Sequence, residues 1–191
     1  MSIEYGKLII SQMEFYWDVY FRPKLEGLTD EEYLWEPVPG CWSLRPDENG
    51  LYQVETVQPE PKPAPVTTIG WRLMHLASNM YFRSSTFFGD GSVPEDATMF
   101  DPRHQPASVP GTAKEGIEFL DHAYGRWHGS LAESSEEELA TPLGQKGAYF
   151  AKDPMSALVL HVNREMMHHG GEVLLLRDLY RATNGAGFTQ R

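Results

Sequence analysis

A single cysteine, Cys41, stands in 191 residues, so no internal disulfide can form. One unpaired thiol fits a reducing cytoplasm. No local nucleophile motif surrounds Cys41, and the expected role is that of a small buried hydrophobe. Basic residues are also scarce: 16 Lys and Arg face 27 Asp and Glu, for a net charge of −11. Nucleic acids are bound through clustered Lys and Arg, so no nucleic-acid partner is expected. No run of about 18 apolar residues occurs, and with it goes the expectation of a membrane-spanning helix. The opening MSIEYGKLIISQMEFYW carries acids and lacks a small-residue cleavage site, so it does not read as a signal peptide. There is no internal repeat and no low-complexity tract. What is present is 41% hydrophobic and 12% aromatic residues, enough to fill one core. The expectation is one domain over residues 1–191.

Periodicity predicts helices. In YGKLIISQMEFYWDVYFRPKLEG (5–27), Leu8, Ile9, Met13, Tyr16, Trp17 and Tyr20 recur at three- and four-residue spacing, with Pro23 set to kink or end the helix. Thr29 with Glu32 forms a capping-box pattern that opens a short helix to about Trp35. Residues 45–66 differ in kind. A turn-like DENG precedes the alternating LYQVETV, a short strand or extended arm, and PEPKPAP predicts a stiff polyproline stretch. Long helices follow at about 68–88, capped by Thr67 or Thr68, and at 112–132, capped by Thr112. A last one spans about 154–182, with Asp153-Pro154 at its start and Asn184-Gly185 at its end. Four long helices make an all-α four-helix bundle the economical fold, with an extended Pro-rich insertion between the first and second.

The last helix carries HVNREMMHHGGEV, three histidines and two glutamates inside an apolar segment. On a helical wheel, Leu158, Val162, Met166, Val173, Leu176 and Tyr180 share one arc, the expected buried stripe. Glu165 and His169 lie in or against that arc. His161 and Glu172 sit at its edge, His168 further round, and Asn163, Arg164 and Met167 face elsewhere. A carboxylate and an imidazole one turn apart in an apolar stripe must pair or bind a cation. Either they join a buried polar network or they ligate a divalent metal, which the i, i+4 spacing allows. His75, in WRLMHLA of the second long helix, is the natural third ligand. Its neighbours Leu73, Leu76 and Met80 supply apolar context. His104, in a Pro-rich loop, and His122 and His128, with no acid at ligand spacing, read as structural.

Three segments, WEPVPGCWSLR (35–45), TIGWRLMHLA (68–77) and HVNREMMHHGGEVLLLRDLY (161–180), resemble the DinB-like superfamily. These four-helix proteins are named after the bacterial damage-inducible DinB protein and include the YfiT-like metal-dependent hydrolases. The resemblance runs in order over nearly the whole chain. It implies a metal held by one histidine of the second helix and two residues, usually both histidine, four apart in the last. His75 matches the first position and His169 the last. The position four earlier is Glu165, a departure from the usual triad.

The metal set implied is therefore His75, Glu165 and His169, with His161 and Glu165 as an alternative pair. His161 and His169 lie about 12 Å apart along the axis, too far to share one ion comfortably beside Glu165. Two imidazoles and a carboxylate suit zinc, nickel, iron or manganese and leave positions for water or substrate. Glu172 is a candidate to accept a hydrogen bond from a ligating imidazole, and Trp42, Trp71 and Tyr81 are candidate pocket walls. By the same resemblance, the activity is metal-dependent S-transfer or hydrolysis. A small-molecule substrate or a low-molecular-weight thiol of the mycothiol or bacillithiol type would be the partner. The competing expectation is a non-catalytic helical bundle whose polar cluster is structural and which acts through ligand binding or dimerisation. The arm at 51–66 is the candidate edge for a homodimer.

Overall fold

A computed structural model describes residues 4–89 and 93–188, and shows a mostly helical protein with one small two-stranded sheet. The first helix, α1, covers Tyr5–Phe15. The backbone then widens into a π-helical stretch, Tyr16–Phe21, and tightens into a 3₁₀ turn, Arg22–Leu25, with Pro23 in its first turn. A single 5–27 helix was expected, and the widened stretch is the difference. It carries Trp17 and Phe21 into the core, where Trp17 stacks on Tyr124 at 3.9 Å. Arg22 then forks onto Asp121 at 2.6 and 2.9 Å.

The caps follow the local chemistry. The Thr29 hydroxyl accepts from Glu32 N and opens α2, Asp30–Tyr33, which ends two residues sooner than expected. Thr68 accepts from Trp71 N at the start of α3, Ile69–Phe88. Thr112 accepts from Glu115 N at the start of α4, Ala113–Leu131. Ser135 and Glu138 form a full capping box on α5, Glu136–Ala140. The last helix, α6, covers Met155–Thr183 and ends on left-handed Asn184 and Gly185. Its start differs from expectation. Pro154 takes the cap position with no side-chain cap, and the Asp153 carbonyl instead accepts from Leu143 N.

Helix α3 lies against both α4 and α6, while α1 and α5 lie against α6. Met13, Phe21, Leu73, Met80, Trp127 and Val162 belong to one buried apolar cluster that joins them. Tyr33 wedges between α3 and α4 because Gly70 and Gly116 leave room. A Cβ on Gly116 would stand 2.5 Å from its hydroxyl, and one on Gly70 3.0 Å from its ring.

Between the first helix and α3, β1 (Leu44–Pro46) pairs antiparallel with β2 (Tyr52–Val54), and a Trp42–Thr67 bridge closes the excursion at its base. The other side of β2 is also taken. Val109 N donates to the Tyr52 carbonyl, and Gln53 Nε2 to the Ala107 carbonyl. These contacts tie the arm to residues 107–109 of its own chain. The stretch around Pro59 and Pro63 forms no strand or helix and has cis bonds at Gln58–Pro59 and Lys62–Pro63 where a continuous polyproline stretch was expected. No described helix is long and apolar enough to cross a membrane.

Candidate metal centre

The wheel reading of α6 places its inward polar groups well. Glu165 and His169, one turn apart, turn toward α3 and meet His75 there. Glu165 Oε2 lies 3.2 Å from His75 Nε2 and 3.3 Å from His169 Nε2. One ligand atom from each of the three residues lies within 4.8 Å of the others. His161 is held further off, with Nδ1 3.8 Å from the other carboxylate oxygen of Glu165, and is not part of that group. His168 is 64% exposed, as its place on the wheel predicts.

Protons can be placed from the partners. His169 Nδ1 is 2.7 Å from Glu172 Oε2. An ionised carboxylate only accepts, so the proton is on Nδ1 and a neutral ring has a bare lone pair at Nε2. That nitrogen lies 3.3 Å from Glu165 Oε2, and two acceptors at this distance suit a cation beside them, either a proton or a metal. For ligands at about 2.1 Å from an ion, neighbouring donors stand about 3.0 Å apart at a right angle and about 3.4 Å at the tetrahedral angle. The observed 3.2 and 3.3 Å fall in that interval. The residues present therefore fit a divalent ion.

The surroundings hold these donors in place. Arg72 Nε lies 2.9 Å from the same Glu172 oxygen, an ion pair that holds the acceptor of the His169 proton. Trp71 stacks on His75 with rings nearly parallel, 8° apart and 5.5 Å between centroids. The Trp71 indole N–H donates to the Glu55 carbonyl just after β2, and Trp42 stacks on Trp71 at 6.0 Å between centroids. The insertion thus orients the ring that orients His75. Tyr81, expected beside them as a pocket wall, packs instead against Phe119 and His122.

Electrostatics follow from burial and neighbours. Burial pushes His75 below its ordinary 6.5, and the Glu165 hydrogen bond only partly offsets this. His161 is lowered by burial and by Arg83 and Arg164, against the pull of Glu165. Burial raises the Glu165 carboxyl, but the His75 hydrogen bond and the charges of the three histidines outweigh it and leave it below the ordinary range. Glu172 is lowered in the same way by His169 and Arg72. Cys41 is buried and donates to the Val38 carbonyl, and burial raises its thiol, which suits a packing role.

Several contacts lay outside the reach of wheel and spacing. Asn163, expected to face away, is buried and donates Nδ2 to the Ile9 carbonyl. His128 does have an acidic partner, Glu14 of α1 at 2.7 Å. His104 is buried, with Nε2 against the Thr98 carbonyl and the Thr86 hydroxyl. Most telling is Arg83 of α3, which is 9% exposed and, among the described residues, has no hydrogen-bond partner at Nε. Burial drops its guanidinium to about 10 despite the field of Glu165. Its eight-residue offset from His75 was the only signal available in the sequence.

Comparison with known proteins agrees with this picture. Searches of curated proteins and of solved structures each gave no match. The sequence model of the DinB superfamily matches residues 18–173, a span that takes in His75, Glu165 and His169. The chain belongs to the DinB superfamily.

Proposed function

We propose that this protein is a metal-dependent enzyme in which His75 Nε2, Glu165 and His169 Nε2 hold a divalent ion, zinc, nickel, iron or manganese. One observation carries the reading: the Glu165 carboxylate faces two imidazole nitrogens at contact distance, and one of them has its proton committed elsewhere, to Glu172. A bound ion would supply Lewis acidity, lowering the pKa of a coordinated water or thiol. S-transfer involving a low-molecular-weight thiol, or hydrolysis, is the activity that fits such a centre. The fold belongs to the same proposal. One domain is built as a four-helix bundle of the first helix, α3, α4 and α6, with the proline-rich insertion serving Trp71. The shared buried cluster supports that reading.

The chain's own residues would act around that centre. Glu172 keeps the His169 proton on Nδ1, leaving Nε2 free to ligate, and Arg72 keeps Glu172 in place. Arg164 Nη2 donates to His161 Nδ1 at 3.1 Å, so His161 holds its own proton at Nε2. That N–H is available to a substrate in the cavity of about 590 Å³ that His161 lines.

A second reading keeps the same contacts without a metal. His169, lying between Glu165 and Glu172, would carry two protons and close a buried ionic network. Metal analysis of the purified protein separates the two. Stoichiometric metal is expected in the wild type and loss of it in His75→Ala and His169→Ala, each checked for fold by circular dichroism. A wild type that takes up no stoichiometric metal under any loading condition leaves only the ionic network. A panel of thiols and electrophiles then identifies the reaction.

A further inference from the structure

Arg83 is a buried cation without a counter-ion. Among the described residues no carboxylate pairs with it, its Nε has no partner, and Glu165 acts on it only through space. The Phe100 ring centroid lies 5.7 Å from its guanidinium carbon. Burial of that Nε is costly, since its desolvation is not offset by a hydrogen bond. Contrast Arg177, equally buried, whose guanidinium is fully engaged by Glu32 and two backbone carbonyls. Arg83 is therefore poised for a partner that arrives from outside.

The cavities say where from. Arg83, Met99 and Phe100 line both the cavity of about 590 Å³ and a second of about 340 Å³. The first extends past Phe150 and Leu158 to His161, and the second reaches Trp71 and His75. Arg83 thus stands where the two meet, eight residues and about 12 Å along α3 from His75. The roof is a built one. Met99 N donates to the Lys146 carbonyl, and Lys146 Nζ to the Thr86 carbonyl, so the loop after α3 is tied to the loop before α6. Two carboxylates approach these cavities. Asp153 is exposed at the edge of the first, and Asp101 in the second is neutralised by Arg103.

We propose that Arg83 binds the carboxylate of a small-molecule substrate whose apolar body lies against Met99, Phe100 and Leu158. A planar guanidinium presents paired donors that match a carboxylate, and its single charge balances a monoanion. A phosphate dianion would need more than this one buried cation, because Arg164 is exposed and donates to His161. A volume of several hundred Å³ with mostly apolar walls and a few placed polar groups is that of a small-ligand site. As an assignment of substrate class the inference rests on the metalloenzyme reading, while the carboxylate contact itself does not require the metal.

The test uses the full chain, stripped with a chelator or metal-loaded, and calorimetric titration with phenylacetate, methyl phenylacetate and inorganic phosphate. Phenylacetate is expected to bind the stripped wild type, with the ester and phosphate each at least about tenfold weaker. Arg83→Met is expected to lose at least about tenfold in phenylacetate affinity. Its unliganded melting temperature should equal or exceed wild type, since an unpaired buried charge is removed; a purely structural arginine would give a fall. Arg83→Lys, which keeps charge and stem but not the fork, gives an intermediate loss and serves if the methionine variant does not fold. His75→Ala should lose metal and keep phenylacetate affinity, which separates this inference from the metal assignment. The proposal is overturned if stripped wild type binds no phenylacetate, if Arg83→Met binds it as tightly, or if phosphate binds more tightly.

Discussion

Two ionic clusters share α6, and they are built on opposite principles. Near its C-terminal end, Arg177 Nε and Nη2 fork onto Glu32 at 2.7 and 3.0 Å. Arg177 Nη1 donates to the carbonyls of Lys24 and Glu26, and the two side chains are only 3% and 4% exposed. Every guanidinium nitrogen of Arg177 has an acceptor, which leaves this cluster little to offer a ligand. It pins the turn after the first helix to α6. Two to three turns earlier, Glu165, His75, His169 and Arg83 form a cluster that does not close. The Glu165 carboxylate lies against two imidazole nitrogens, and among the described residues Nε of the Arg83 guanidinium has no hydrogen-bond partner. A saturated buried network gives rigidity; an unsaturated one, kept at the cost of stability, marks where chemistry is done.

The comparison breaks most visibly at Glu32. Glu32→Ala leaves Arg177 buried and unpaired, and unfolding measurements should show a loss of about 3–5 kcal/mol. A loss under 1 kcal/mol would mean that this cluster, too, is slack. Next in size is Glu172→Gln. An amide is a poorer acceptor for the His169 proton, and metal affinity in a competition titration should fall about 10- to 100-fold while the fold persists. An unchanged affinity would remove Glu172 from the support of the site.

A smaller effect is expected with pH in the stripped protein. His75 and His161 lie below their ordinary 6.5 when folded, so folding favours their neutral forms. Their contribution is fully present above about pH 6.5 and is lost as pH falls through the lower folded values. Melting temperature should therefore decline between pH 7 and 5, less steeply in His75→Ala; a flat profile in wild type speaks against neutral buried imidazoles. Smallest of all is His168→Ala. That exposed ring meets Glu172 and His169 from outside, so metal affinity should change less than about twofold and stability within about 0.5 kcal/mol. A tenfold loss of metal there would shift the centre toward the surface triad His168, His169 and Glu172, whose donors also lie close together.

Much of this was legible in the sequence wherever the cause is local. Thr29, Thr68 and Thr112 cap their helices through residues three further on, and Asn184-Gly185 ends α6 by its own backbone preference. Glu165 and His169 point inward because a 3.6-residue period puts them beside Val162 and Met166. His75 entered as the histidine set among apolar residues of the second long helix, the family resemblance matched it, and the structure brings it to the other two. Contacts between segments far apart in the chain were not legible. Nothing near Glu32 announces Arg177, 145 residues away, and nothing near His128 announces Glu14. Asn163 reads as outward until the Ile9 carbonyl of α1 is placed against it. The 52–54 arm reads as a free edge until residues 107–109 arrive beside it. Arg83, flanked by Phe82 and Ser84, shows only in three dimensions that it has no partner.

The central claim is that the open cluster on α6 holds a metal through His75, Glu165 and His169. Anomalous diffraction from crystals of the zinc- or nickel-loaded protein tests it most directly. One strong peak is expected about 2.0–2.2 Å from His75 Nε2, His169 Nε2 and a Glu165 oxygen. A peak on His161 or His168 instead, or none at full loading, would contradict it.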